Sequence, residues 1–488
     1  MNKASAFFTD LDRKFMIFFR AFLLMSIGIS INLSQLIPTL AQTDQSLPVN
    51  SNHQKTTPAL DVLEPNPNPL QLPISSDEVK IQTTQPISLQ QALELAERNN
   101  RELQVSRLSL ERSQAALRQA KAAQFPTLGT NAELAVSADQ EAPTDIDLNI
   151  NDSPTSFLGG MVEVNYDLFT FGRRSARIEA AERQVQFEQL DIMRNREQIR
   201  LEVINAYYDL QEADEQVKIN QAAVENAQIS LLDAQALEEG GLVARFDIVR
   251  AQVQLANTEQ DLVQAQAEQD ISSDQLARIL SLPDAVDTTA ADPVQIAGQW
   301  NLSLEESLIL AFKNRVELVQ QLVQRNISEQ QRRSALAQKK PTVSLFANYG
   351  VVGELNGRVE DGYAGGVRVG WNFFDGGAAI AGAAQEEANI KIAEVRFADT
   401  RSQIRLEVER AFKTLIANAK NIETATFALE QSKESLDMAR FRFRSGIGTQ
   451  LEVNIAENEL TRAAGNRVRA VLNYNRALAA LQRAVGNF

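Results

Sequence analysis

Cysteine is absent from the 488-residue chain, and histidine occurs once, at His53. Thiol chemistry, Cys/His zinc sites and histidine triads are excluded with them. No nucleophile–base constellation or phosphate loop takes their place, so the sequence predicts no enzyme, cofactor or metal site. A net charge of −15 with no evident basic face disfavours nucleic acid as a partner. Aromatics are only 6% of residues, as in long solvated helices. Beyond the N-terminus no stretch approaches 18 apolar residues, which leaves a β-barrel as the chain's one route across lipid. The N-terminus itself is expected to be a secretory leader, 1–41: Lys3, Arg13, Lys14 and Arg20, then an apolar run over 21–31, then small residues at Thr39 and Ala41. Residues 42–87, rich in Pro, Asn, Gln, Ser and Thr, are expected to be a disordered or extended linker.

Proline and glycine are both missing from 175–238. Ile199, Val203, Ala206, Leu210, Ala213, Val217, Asn220, Val224, Ala227, Leu231 and Ala234 recur there in steps of four and three, a heptad seam broken only by Asn220. Sixty-four helical residues would make a rod of about 96 Å, which must pack along other rods. The seam returns 205 residues later, from Ile404 and Val408 to Leu436 and Ala439, with Arg200-Leu-Glu-Val203 repeated as Arg405-Leu-Glu-Val408. A second correspondence, at an offset of 215, matches the Ser88-Leu-Gln-Gln-Ala opening to Ser303-Leu-Glu-Glu-Ser. The chain is therefore a tandem duplication, 88–281 and 303–488, joined by a linker at 282–302.

Each copy changes period once. In 126–169 and 341–374 the spacing becomes two, with Leu128, Leu134, Val162, Val164 and Tyr166, and again Leu345, Tyr349, Tyr363, Val367 and Trp371, on one face. Strands of about 11 residues with one apolar face fit a tilted crossing of a membrane. Glu163 and Arg368 occupy the same repeat position on the polar faces, as candidates for a barrel lumen or as simply solvated groups. Between the first two strands, Asp145, Asp147 and Asn149 open like a calcium loop, but Ile150 and Ser156 stand where Gly and Glu are needed, so a solvated loop is expected. Long helices are predicted at 175–238 and 380–444, and return helices at 247–281 and 449–485. The lengths suggest an end-to-end pair of shorter helices beside each rod, 247–281 with 316–340 and 449–485 with 101–124. The short helices 88–98 and 303–313 would form a belt at the joint. Four strands cannot close a barrel, so the chain must oligomerise. A dimer would have a filled lumen and a trimer a water-filled one.

Together the paired Ser-Leu openings, the repeated Arg200, Val203, Ala206, Tyr207 and Arg405, Val408, Ala411, Phe412, and the turns 241–247 and 442–448 resemble the TolC-like outer-membrane efflux protein family. The resemblance implies an α+β membrane protein: a homotrimer whose hairpins form one 12-stranded outer-membrane barrel and whose helices form a periplasmic tunnel. It implies export of drugs, small molecules or proteins, including type I secretion, with a periplasmic adaptor and an inner-membrane transporter of the RND or ABC type. It also implies a gate at the turns. Asp247 matches the family's first-turn aspartate; Phe443 stands at the place of a tyrosine and Gly448 at that of an arginine. Glu452 matches one acid ring, and Ile455, beside Asn454, the other. The polar lock is thus expected to be reduced or replaced. Asp247 is equally explained as a helix N-terminal acid, and Glu452 as part of a solvated face. The competing expectation is a periplasm-spanning tether or adhesin with a coiled-coil stalk. A porin has no use for so much helix.

Overall fold

The computed structural model describes residues 83–137, 155–283, 286–354 and 359–487, besides isolated residues between 70 and 80. The expected leader, most of the 42–87 linker and the acidic loop that follows the first hairpin strand lie outside the described residues. In chain order the elements are β1 (Thr83–Ile87), α1 (Leu89–Asn99), α2 (Arg101–Ala122), β2 (Thr127–Ser137), β3 (Thr155–Phe169), α3 (Arg173–Glu239) and α4 (Arg245–Leu280). There follow β4 (Val286–Ala290), α5 (Leu304–Asn314), α6 (Val316–Ala337), β5 (Thr342–Glu354), β6 (Val359–Gly370), α7 (Ala378–Arg444) and α8 (Gln450–Val485). None of the described helices is long and apolar enough to cross a membrane.

The duplication is plain in these lengths. Both long helices have 67 residues, both return helices 36 and both leading helices 22. Each copy opens with a capping box, in which Ser88 accepts from the Gln91 amide and Ser303 from the Glu306 amide. Near the hairpins the helices lie side by side in the order α2, α3, α6, α7; toward the turns the order is α4, α3, α8, α7. The first seam is buried from Ile199 to Ala234 except at the half-buried Val217 and Leu231, whereas much of the second is only half buried, because α7 is the outermost helix of the layer.

The end-to-end pairing differs from the one inferred from lengths. The Asn100 side chain, which caps α2, donates to the Ile279 carbonyl at the end of α4, 2.9 Å away. Arg315, ahead of α6, donates to the Ala484 carbonyl at the end of α8, 3.1 Å away. Short helices therefore stack within each repeat. Length could not separate the two pairings, since both leading helices are equally long.

The two segments taken as linkers supply strands: β1 and β4 pair in parallel. A buried polar stripe one and two turns apart on α3 grips β4 and its end. Tyr207 donates its hydroxyl to the Asp292 carboxylate (2.7 Å), Gln211 donates to the Asp292 carbonyl (2.6 Å), and Asp214 accepts the Ala290 amide (2.9 Å). Burial first, and then the Asp292 carboxylate, push the Tyr207 hydroxyl well above its ordinary pKa. Beside this belt, Arg315 and Arg483 bind Glu317, and Arg315 also reaches Glu407. Burial alone would raise Glu317, but the two guanidiniums overcome it and hold the carboxyl at about 2.

Candidate gate and lumen

The four long strands form one antiparallel sheet in the order β2-β3-β5-β6, with both edges unpaired among the described residues. Register places Glu163 opposite Asn348 and Gly129, and Arg368 opposite Ser344, which in turn faces Asp167. Because side chains alternate along a strand, all six positions share one face. The other face carries Leu128, Leu134, Leu158, Val162, Tyr363, Val367 and Val369, all exposed. One face is thus apolar and the other polar, as the alternation predicted. Glu163 and Arg368 lie on the polar face but not together: they sit in different rows, and Arg368 stacks over the Phe346 ring at 4.7 Å.

At the opposite end of α3 and α7 are two glycine turns. Gly241 and Gly446 adopt positive φ, +70° and +71°, where an L side chain would be strained. The Leu242 amide donates to the Leu237 carbonyl, and the Ile447 amide to the Arg442 carbonyl, closing both helix ends. Gly448 is required for a different reason. A Cβ there would sit 2.9 Å from Arg442 Cβ and 3.0 Å from the Phe443 nitrogen. The chain folds so tightly over the end of α7 that an arginine would displace the turn.

Phe443 is 2% exposed and packs with Ala234, Ala251, Leu436, Ala439, Val453 and Ala456, contributed by all four helices of this end. It gives this end apolar packing where a tyrosine would bring a hydroxyl. Asp247 lies in the first turn of α4, half buried, and among the described residues its carboxylate meets no donor. Glu452 is the N3 residue of α8, its amide donating to Thr449, and its carboxylate pairs with Arg442 at 3.4 Å. Asn454 is buried and accepts from the Gln450 side chain at 2.8 Å. It therefore faces the packed side of α8, while Glu452 and Ile455 face outward. The five gate candidates all belong to the turn end of α4, α7 and α8, yet among the described residues no polar contact joins Asp247 to Phe443 or Gly448.

The polar contacts between the coils sit higher. Arg440 of α7 donates to the Asn226 side chain of α3 and to Glu457 of α8, each at 3.0 Å. Ser230 of α3 donates to the same Glu457 oxygen. One turn nearer the tip, Arg444 pairs with Asp233 at 2.7 Å. On α4, Gln254 donates to Asn458 of α8 at 2.8 Å. Sequence reasoning missed this cluster. Its signal was faint: Asn226, Ser230 and Asp233 follow at steps of four and three beside the seam, opposite Arg440 and Arg444, themselves four apart.

A family model for the outer membrane efflux protein matches residues 92–281 and 308–487, most of the chain and both repeats. The chain belongs to that family. It is an outer-membrane efflux channel. Over 185 residues, 37% of the chain, it is 29% identical to the cobalt-zinc-cadmium resistance protein CzcC of Cupriavidus metallidurans; the match spans only 39% of that relative's length. Its fold is that of the outer membrane protein VceC of Vibrio cholerae (TM-score 0.69, 21% identity, 82% of this chain and 96% of that one). It is equally that of the outer membrane channel CmeC of Campylobacter jejuni (TM-score 0.72, 16% identity, 87% and 95%). The efflux family is one of channels, so the competing tether or adhesin falls away.

Proposed function

We propose that three copies of this efflux channel assemble into a single duct that carries solutes from the periplasm to the exterior. The observation that supports this most directly is the pair of open edges. The sheet ends in unpaired β2 and β6, and the helical layer ends in α2 and α4 on one side and α7 on the other. Both helical edges carry exposed apolar stripes. On α4 these are Phe246, Val249, Val253, Val263 and Ile271; on α7 they are Leu406, Ile416, Phe427, Met438 and Phe441. The stripes match in height. Val263 lies 18 residues into α4 and Phe427 lies 17 before the end of α7. At ~1.5 Å per residue the two stand about 27 and 26 Å above the turns. Copies joined α4-to-α7 and β2-to-β6 leave no open edge, and twelve strands give a lumen wide enough for water.

The apolar sheet face would meet outer-membrane lipid. At the periplasmic end the Arg440–Glu457 cluster, with Ser230, Asn226 and the Phe443 lock, holds the coil of the second repeat against that of the first and keeps the duct shut. Opening there suits engagement by a periplasmic adaptor and an inner-membrane transporter of the RND or ABC class. The cargo is small solutes, cations among them, in keeping with the acidic polar face of the sheet and with the resistance function named for the metal-resistance relative. Chains carrying both Val263→Cys and Phe427→Cys test the assembly, since the natural chain has no cysteine. Oxidation should give ladders that end at three copies. Ladders ending at two, or no cross-link between correctly folded chains, would refute the arrangement.

A further inference from the structure

The polar face of the sheet is layered by charge. Working up from the helices, one row holds Asp167, Ser344 and Arg368; two rows on come Glu163 and Asn348; near the far end come Glu133 and Glu360. On this face Arg368 is the one cation named against Asp167, Glu163, Glu133 and Glu360 in each copy. None of these five side chains forms an ion pair within the described chain. The guanidinium instead rests on the Phe346 ring, 4.7 Å from its centroid. The ring in turn lies over Gly366, where an added Cβ would come 3.4 Å from ring atom Cε1. Gly366 therefore makes room for a flat aromatic plate, and the plate holds a long cationic arm against the wall.

We propose that Arg368, held by Phe346, sets the charge selectivity of the duct. It counters the carboxylate rows at the base of the barrel, where the sheet meets the helices, and so permits anionic solutes to pass an otherwise cation-selecting bore. Removing the counter-charge leaves the carboxylates as the charged groups named on the face, and rings of acidic side chains favour cations. Without the plate, the arm keeps its charge and gains freedom to swing across the bore. The two roles therefore separate experimentally: the charge governs the cation-to-anion permeability ratio, and the stack governs how freely ions pass.

This inference rests on the duct reading, with the polar face as lumen. The test is reversal potential and single-channel conductance of the purified full-length protein in planar bilayers under a KCl gradient. Arg368→Ala is expected to raise the potassium-to-chloride permeability ratio by about twofold or more, and Glu163→Gln to lower it. Phe346→Leu should keep the ratio near that of the parent and lower the conductance. Parent channels with steps whose ratio is unmoved by Arg368→Ala, while Glu163→Gln lowers it, would overturn the role of Arg368 alone. Steps indifferent to both charge variants would show that this face does not line the bore. Absence of steps from the parent protein and equally from Arg440→Ala, which loosens the shut end, would overturn the duct itself. Phe346→Leu with unchanged conductance would overturn the role of the stack.

Discussion

Replacing Arg440 by alanine is the sharpest test of the inter-coil cluster. The Arg440 and Glu457 side chains are 17% and 6% exposed, and Glu457 depends on Arg440 and Ser230 for its hydrogen bonds. Truncating one member of a buried pair strands the other charge, at about 3–5 kcal/mol. Arg444 and Asp233 make an equally short contact, but their side chains are 54% and 26% exposed. Such a pair contributes only about 0–1 kcal/mol. If the cluster holds the coils together only in the shut state, a loss of ~3 kcal/mol shifts the closed-to-open balance about a hundredfold in each copy. Arg444→Ala should shift it by less than about tenfold. Open probability in planar bilayers at fixed voltage measures both. Arg440→Ala together with Glu457→Ala should cost less stability toward urea than Arg440→Ala alone, because no charge is then left buried. An Arg444→Ala channel that opens as much as Arg440→Ala, or a double variant that is the less stable, would refute the role of the buried pair.

Three further outcomes are expected. Glu317 is held at about 2 in the folded chain against 4.5 unpaired, so its contribution is complete above pH 4.5 and is lost as pH falls through 2. Acid denaturation of Glu317→Gln should lack that component, about 3 kcal/mol in total. Gly448→Ala forces a Cβ against Arg442 and Phe443 and should cost about 1–3 kcal/mol by denaturant melts, with faster amide exchange confined to the tip. Tyr207→Phe removes the hydroxyl that donates to the Asp292 carboxylate and accepts the Asp292 amide. It should lower stability by about 1–3 kcal/mol and deprotect β4 in hydrogen exchange.

What the sequence revealed was what repeats. The seam from Ile199 to Ala234 and the alternation around Val162 and Val367 are periodic, so their buried and polar faces follow from spacing alone. Strands β1 and β4 escaped because five-residue segments such as Thr-Thr-Gln-Pro-Ile carry no usable period, and their hydrogen bonds come from each other across the whole first repeat. The Arg440–Ser230–Glu457 cluster escaped because it depends on how two coils are rotated about each other, which heptad spacing leaves open. Gly448 was visible as a departure from the family pattern, but its cause, the approach of Arg442 Cβ, exists only once the turn is folded.

The within-repeat stacking has a mechanical consequence. The rods α3 and α7 pass the belt unbroken, whereas the short helices are interrupted there. Torsion applied at the turns can be relieved at these two breaks without unwinding any helix. The polar bridges across the two breaks differ in strength. That between α2 and α4 is bridged by the neutral amide of Asn100, worth about 1 kcal/mol. That between α6 and α8 is bridged by Arg315, clamped by Glu317 and Glu407. The belt is thus a joint whose first-repeat side is bridged by a neutral amide over an apolar core and whose second-repeat side is bridged by a clamped guanidinium.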